Sequence, residues 1–104
     1  MAQRVKELTI QNVKGLHARA AAKFVKTVGQ YEAEVTITRV GCNNASLFND
    51  SDDYWAASGG SVLGILTLGA EKGACIRLEA DGKQADEVLN ALEDLVNRKF
   101  DEGE

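Results

Sequence analysis

The strongest constraint on the fold is a run of apolar residues near the end of the chain. These residues recur at steps of three and four positions, which predicts an amphipathic helix with one buried stripe. They are Ala85, Val88, Leu89, Leu92, Leu95 and Val96. A stripe of this kind is stable only when a second layer covers it, so the rest of the chain must supply a sheet or further helices.

The second layer is predicted to be a sheet. Apolar and polar residues alternate in 8–11, 35–38 and 74–80, as they do in strands that bury one face. Part of 54–58 is expected to return as a further strand. Asp81-Gly82 follows the last of these segments and is typical of a turn.

Two more helices are predicted between the strands. Residues 18–28 are rich in alanine and stop before Gly29, and Ser61 is suited to cap a short helix over 62–68. The predicted order is β-α-β-β-α-β-α. We therefore expect an α+β fold, an open-faced β-sandwich in which three helices pack on one face of a four-stranded antiparallel sheet. The length of 104 residues fits a single domain over 1–104.

The net charge of −4 hides a basic segment. Residues 14–26 hold Lys14, Arg19, Lys23 and Lys26 and no acidic residue, whereas acidic residues prevail towards the C-terminus. So small a positive patch argues against a general nucleic-acid-binding protein, which needs a wide basic surface. It favours a focused anion site or an acidic protein partner, although a solvated helix face explains Lys23 and Lys26 equally well.

The sequence also suggests where the protein works. No apolar run reaches the roughly 18 residues that a membrane span needs, and Met1–Glu7 lacks the apolar segment of a signal peptide. Cys42 and Cys75 lie far apart in the sequence without metal-binding spacing, so we expect a reduced pair. These features lead us to expect a cytoplasmic protein with no membrane insertion.

The segment 41–60 is long and polar for a connection between two elements. Its aromatic residues Phe48, Tyr54 and Trp55 are expected to pin the loop to the body, with a partner-binding patch as the alternative. Asn49–Asp53 alternates like calcium ligands but lacks the glycine and the distal glutamate of a calcium loop. We therefore expect no metal site.

The only histidine, His17, lies inside the basic segment. Gly15 permits a tight approach of the backbone, which puts His17 at the start of the helix over 18–28. The first N–H groups of a helix have no partners within it and, together with the helix dipole, attract anions. Arg19 adds a bidentate donor for phosphate. One histidine near one arginine is a weak signal, so the spacing alone slightly favours a histidine that merely caps the helix. The alternative is an imidazole that accepts a phosphoryl group.

Two motifs carry a family resemblance. The run from Thr9 to Asn12, followed by Gly15-Leu16-His17-Ala18-Arg19-Ala20-Ala21-Ala22-Lys23-Phe24-Val25, closely resembles the HPr family of histidine phosphocarrier proteins. This family belongs to the bacterial phosphoenolpyruvate-dependent sugar phosphotransferase system. The resemblance resumes at Gly60-Ser61-Val62-Leu63-Gly64-Ile65-Leu66-Thr67-Leu68-Gly69-Ala70 and continues to Lys99-Phe100. Two motifs in the right order are more specific than either alone.

The resemblance implies a function for three residues. His17 matches the family's phosphorylated histidine, which accepts a phosphoryl group on Nδ1 from phospho-enzyme I and passes it to enzyme IIA components for sugar uptake. Arg19 matches the arginine that stabilises the phosphate. Ser61 matches the serine that a dedicated HPr serine kinase/phosphorylase of some bacteria modifies in carbon catabolite regulation, with an unmodified helix cap as the alternative. The implied protein is a monomeric carrier rather than an enzyme, with no cofactor and no metal.

Partner binding is expected to combine charge and apolar surface. The basic side chains of Lys23 and Lys26 would act together with an apolar strip of Val62, Leu63 and Leu66. A small interface with electrostatic steering suits a carrier that has to bind and leave quickly.

Two features depart from the family pattern. Ala20 stands where many members have proline, a mild change because alanine is a good helix former. The middle of the chain is longer than usual, so we expect a loop insertion within 41–59.

Two other functions remain open. One is a carrier in a nitrogen-related regulatory phosphotransferase relay, and the other is a regulatory protein that binds a transcription factor through phosphorylated Ser61. The motif over 60–64 leans towards the sugar system, and His17 argues against a purely regulatory role.

Overall fold

A computed structural model describes residues 4–40 and 56–101 of the chain. These residues form strands and helices in the predicted order β-α-β-β-α-β-α, and a short turn over Lys99–Asp101 follows. The strands are β1 (Arg4–Thr9), β2 (Glu34–Val40), β3 (Ala56–Ser58) and β4 (Cys75–Asp81). The helices are α1 (Ala18–Val28), α2 (Val62–Thr67) and α3 (Ala85–Asn97). The predicted α+β fold is confirmed.

The sheet is antiparallel, with the strand order β1-β4-β2-β3. Leu78 of β4 lies opposite Ile37 of β2, and both side chains are completely buried on the face that the helices cover. Thr36 lies opposite Glu79 in the next row, and both are partly exposed on the other face. This alternation is the pattern from which the strands were predicted.

The stripe on α3 is buried as its spacing predicts. All six apolar residues of the stripe are at most 4% exposed and join one core with α1 and the sheet. On α1, Ala20, Ala21 and Phe24 are completely buried. The two longest helices therefore cover the sheet with faces that are already visible in the sequence.

Strand β1 begins earlier than the alternation over 8–11 predicts. Arg4 pairs with Asp86 at 3.0 Å, and Lys6 pairs with Glu93 at 3.0 Å. Both carboxylates lie on α3, so ion pairs support the first half of this edge strand where apolar contacts support most of the sheet. All four side chains are at least 32% exposed, which keeps the stabilisation from each pair small.

The chain after α3 turns in the left-handed conformation without a glycine. Lys99, Phe100 and Asp101 have φ angles of 57°, 53° and 62°. Such angles cost about 1–2 kcal/mol for each residue with a side chain. Phe100 is completely buried, and its carbonyl accepts a 2.7 Å hydrogen bond from Lys23 Nζ. Burial of the ring and this bond offset the strain and hold the turn against α1.

Cys75 corrects the expectation of reduced thiols, because it is disulfide-bonded. Sequence separation is a poor guide here, since the sheet register places Cys75 opposite Val40, only two residues before Cys42 along the chain. Cys42 itself lies outside the described residues. So do Phe48, Tyr54, Trp55, the Asn49–Asp53 segment and most of the insertion expected within 41–59.

No helix among residues 4–40 and 56–101 is long and apolar enough to cross a membrane.

The buried stripe predicts a contrast between two identical substitutions. Leu92→Ala should lower the free energy of unfolding by about 2–5 kcal/mol, because it removes a completely buried side chain from the core. Leu63→Ala should change it by less than about 0.5 kcal/mol, since Leu63 is 72% exposed. Urea denaturation monitored by circular dichroism measures both, and equal losses would contradict the burial assigned to α3.

Candidate functional site

The turn before α1 is shaped by Gly15. Its φ angle is +66°, and a Cβ at this position would lie 2.6 Å from both the Ala70 carbonyl oxygen and Glu71 Cα. The close approach lets the Leu16 N–H donate a 2.9 Å hydrogen bond to the Ala70 carbonyl. The loop before α1 is thereby joined to the loop that follows α2.

His17 is the N-cap of α1. Its backbone is extended, with φ −85° and ψ −176°, and its carbonyl accepts the Ala21 N–H at 2.8 Å to begin the helix. Its imidazole Nδ1 accepts a hydrogen bond from the Arg19 N–H at 3.2 Å. A nitrogen that accepts this bond carries its lone pair towards the helix, which in the neutral ring leaves the proton on Nε2. The lone pair of Nδ1 thus faces the positive end of α1.

Arg19 sits beside this cap on an exposed part of the helix surface. Its guanidinium makes no ion pair with any residue in 4–40 or 56–101. Ala20, the next residue of the helix, is completely buried. The structure therefore places an imidazole, the first N–H groups of a helix and a solvated guanidinium within three consecutive positions of the chain.

Asn12 is a further residue of the turn before α1, and its sequence motif assigns it no role in the site. Its side chain is completely buried. The side-chain Nδ2 donates a 2.8 Å hydrogen bond to the Gly15 carbonyl, and the backbone carbonyl of Asn12 accepts the Gly15 N–H at 3.1 Å. The sequence offers only a general signal for this role, because asparagine favours turns in which its side chain bonds to nearby backbone groups.

Ser61 is the N-cap of α2. Its φ and ψ are −122° and 111°, and its Oγ accepts the Gly64 N–H at 3.0 Å. Within the apolar strip that follows, Leu63 is the exposed member, whereas Val62 and Leu66 are partly buried against the core. The strip thus offers one side chain to solvent, with two others supporting it.

Lys23 and Lys26, the two lysines of the basic segment that lie on α1, have different surroundings. Lys23 donates to the Phe100 carbonyl and lies 3.9 Å from the Asp101 carboxylate, so its ammonium holds the C-terminal turn. Lys26 is exposed in the last turn of α1. Lys26 is thus the more exposed of the two lysines.

Comparison with known proteins identifies the family. The model of the PTS-HPr family, described as the PTS HPr component phosphorylation site, matches residues 5–98. The chain belongs to the HPr family.

Full-length relatives agree with this assignment. The chain is 46% identical over 98 residues to the phosphocarrier protein HPr of Pseudomonas aeruginosa, covering 94% of this chain and 96% of that protein. It is 38% identical over 97 residues to the phosphocarrier protein NPr of Shewanella violacea, covering 93% of this chain and 92% of the relative. Both relatives are named phosphocarrier proteins, which are carriers, so the prediction of a carrier rather than an enzyme is confirmed.

A solved HPr structure confirms the fold. The crystal structure of HPr-C-His from Thermoanaerobacter tengcongensis superposes with a TM-score of 0.75 at 30% sequence identity, covering 95% of this chain and 97% of that chain. The resemblance that rests on the two motifs thus extends to the fold of the described residues.

The turn geometry predicts a difference between two glycines that share a left-handed conformation. Gly69→Ala should cost about 1–2 kcal/mol from backbone strain alone, because the nearest atom to a Cβ there is Arg39 Nη1 at 3.7 Å. Gly15→Ala should cost clearly more, since the same strain is joined by the clash with Ala70 and Glu71. Chemical denaturation of both variants measures the costs. A Gly15 variant as stable as the Gly69 variant would show that this close approach does not constrain the site.

Proposed function

We propose that this HPr-family chain is a phosphocarrier whose His17 Nδ1 accepts a phosphoryl group from phospho-enzyme I and passes it to enzyme IIA components for sugar uptake. The group derives from phosphoenolpyruvate. One observation carries the proposal: Nδ1 already accepts the Arg19 N–H at the N-terminus of α1. The nucleophilic lone pair and the groups that would solvate the phosphoryl oxygens therefore meet at one point.

The transfer step follows from this geometry. The Nδ1 lone pair forms a bond to phosphorus while the bond between phosphorus and its donor atom breaks, and the donor keeps the bonding pair. Because this lone pair accepts the Arg19 N–H in the resting protein, the N–H must leave Nδ1 as the new bond forms. It donates instead to a phosphoryl oxygen, a charge-assisted and stronger acceptor. The guanidinium of Arg19 adds opposite charge nearby. Phosphoryl transfer depends mainly on positioning and electrostatics, so a site of this size suffices.

Partner recognition in this proposal uses exposed side chains of α1 and α2 together with His17. Arg19 and Lys26 supply exposed positive charge, and Leu63 supplies an apolar contact with Val62 and Leu66 behind it. Lys23 contributes charge while it also holds the C-terminal turn. Such a surface suits acidic partner proteins that bind briefly. We place the protein in the cytoplasm as a monomer.

A carrier in a nitrogen-related relay is the second candidate. The similarity to a protein named NPr favours it, at lower identity than the similarity to the Pseudomonas HPr. The chemistry at His17 is the same in both relays, so only the acceptor protein separates them.

Ser61 is the proposed regulatory site within the same function. A phosphate there adds about −1.5 to −2 charge beside the exposed Leu63. That charge opposes the approach of an acidic partner, which is how an HPr serine kinase would lower transfer. Regulation of a transcription factor through phosphorylated Ser61 remains a lesser candidate, because it leaves His17 without a role.

The central prediction is phosphorylation of one residue. Incubation with phosphoenolpyruvate and enzyme I should add one phosphoryl group, labile in acid and stable in base, as measured by intact mass. His17→Ala should take up none, while its circular dichroism spectrum should match that of the unsubstituted protein.

Two further outcomes are informative. Absence of phosphate on the folded wild-type protein would overturn the proposal. Transfer from the phosphorylated protein to the IIA component of a sugar permease supports the sugar system, whereas transfer only to a nitrogen-related IIA protein supports the alternative relay.

The regulatory role predicts different transfer rates for two substitutions at Ser61. Ser61→Asp should slow phosphoryl transfer from enzyme I, because it adds negative charge but keeps an oxygen that caps α2. Ser61→Ala should leave transfer near the wild-type rate while it lowers stability by about 1 kcal/mol through loss of the cap. Rates come from rapid-quench assays and stability from urea denaturation. An unchanged transfer rate in Ser61→Asp would remove the regulatory role.

A further inference from the structure

Asn12 stands out among the polar residues of the described chain. It and Thr38 are the polar side chains that residues 4–40 and 56–101 bury, and Asn12 is completely inaccessible to solvent. Burial of a side-chain amide is unfavourable unless the amide forms hydrogen bonds. The burial of an asparagine in the loop just before the proposed phosphoryl-accepting histidine therefore needs a structural explanation.

The side-chain amide of Asn12 bonds to the Gly15–Leu16 peptide unit. Its Nδ2 donates to the Gly15 carbonyl at 2.8 Å, and the same carbonyl accepts the His17 N–H at 2.9 Å. The N–H of this peptide unit belongs to Leu16 and donates to the Ala70 carbonyl at 2.9 Å. The Gly15–Leu16 peptide is thus held at both ends, by Asn12 on one side and by Ala70 on the other.

This peptide unit sets the position of His17. The His17 N–H bonds directly to its carbonyl, so a rotation of the peptide would move the backbone from which the imidazole projects. The bond between Nδ1 and the Arg19 N–H is 3.2 Å long, at the weak end of the normal range. A small shift of the His17 backbone would therefore suffice to break it.

We propose that Asn12 is a positioning residue for His17. Its side-chain amide fixes the rotation of the Gly15–Leu16 peptide and so keeps Nδ1 aimed at the N-terminus of α1. This inference rests on the proposed role of His17 as the phosphoryl acceptor. It explains why a polar side chain is buried where an apolar residue would fill the same space.

The test compares Asn12→Asp and Asn12→Ala with two controls. Asn12→Asp keeps the shape and replaces the donor with an oxygen that faces the Gly15 carbonyl. Gln11→Ala removes a neighbouring amide that bonds to Asn97 at 3.1 Å and does not bond to the Gly15 peptide. Ile37→Val weakens the core in β2 without touching the loop.

Two readouts separate positioning from stability. We expect both Asn12 variants to lose about tenfold or more in kcat for phosphorylation by enzyme I, with KM changed less than about twofold, because the partner surface is retained. In ¹⁵N NMR spectra the Asn12 variants should lose the signature of an Nδ1 acceptor on His17 and shift the Arg19 amide signal. Gln11→Ala and Ile37→Val should keep the wild-type kcat and spectra.

The outcomes are distinct from those for the proposed function. Folded Asn12 variants with wild-type kcat and wild-type His17 spectra would overturn the positioning role. Failure of the wild-type protein to accept phosphate would overturn the proposed function, while the His17 spectra would still test the positioning role.

A measurement on the wild-type protein covers the case in which the Asn12 variants do not fold. Phosphorylation of His17 should shift the side-chain amide signals of Asn12 more than those of Gln11. Equal or absent shifts would contradict a link between Asn12 and the imidazole.

Discussion

The contact between Gly15 and the backbone at Ala70 and Glu71 organises the half of the molecule that carries the site. No side chain fits at Gly15, because a Cβ would lie 2.6 Å from backbone atoms of the neighbouring loop. The approach allows the bond from Leu16 to Ala70 and so ties the start of α1 to the end of α2. The two motifs of the HPr family, which are far apart in the sequence, are thereby fixed relative to each other by a residue that contributes no side chain.

The elements that the sequence predicts best are those with local determinants. Helix α1 runs over Ala18–Val28, the range its alanines and apolar spacing predict, because the helix and its cap are specified by adjacent residues. Strand β1 instead begins at Arg4. Its first residues are held by ion pairs to Asp86 and Glu93 on α3. The local alternation of apolar and polar residues cannot predict contacts with residues so distant in the sequence. The disulfide-bonded state of Cys75 was missed for the same reason, since the sheet register decides which segments meet.

The residues of the candidate site also differ in whether their determinants are local or distant in the sequence. His17 and Arg19 are visible in the sequence because a helix N-terminus is a local feature with a known affinity for anions. Asn12 was missed because loop asparagines are exposed by default, and its burial arises from packing that no spacing rule contains. The contact of Lys23 with Phe100 was equally hidden, since it depends on a left-handed turn that forms without glycine.

His17 and Ser61 use the same structural device, and this explains how one small protein can hold two phosphorylation sites in the proposed function. Each residue is an N-cap, and the atom that accepts the capping N–H is the atom that would bond to phosphorus: Nδ1 on α1 and Oγ on α2. Phosphorylation of either residue exchanges one acceptor for phosphoryl oxygens that accept more strongly from the same N–H groups. In the proposed function, both helix ends would therefore keep their caps when the residue is phosphorylated. The effect of a phosphate on Ser61 must then be electrostatic, and because the neighbouring Leu63 is exposed, the added charge is presented to a binding partner rather than to the core.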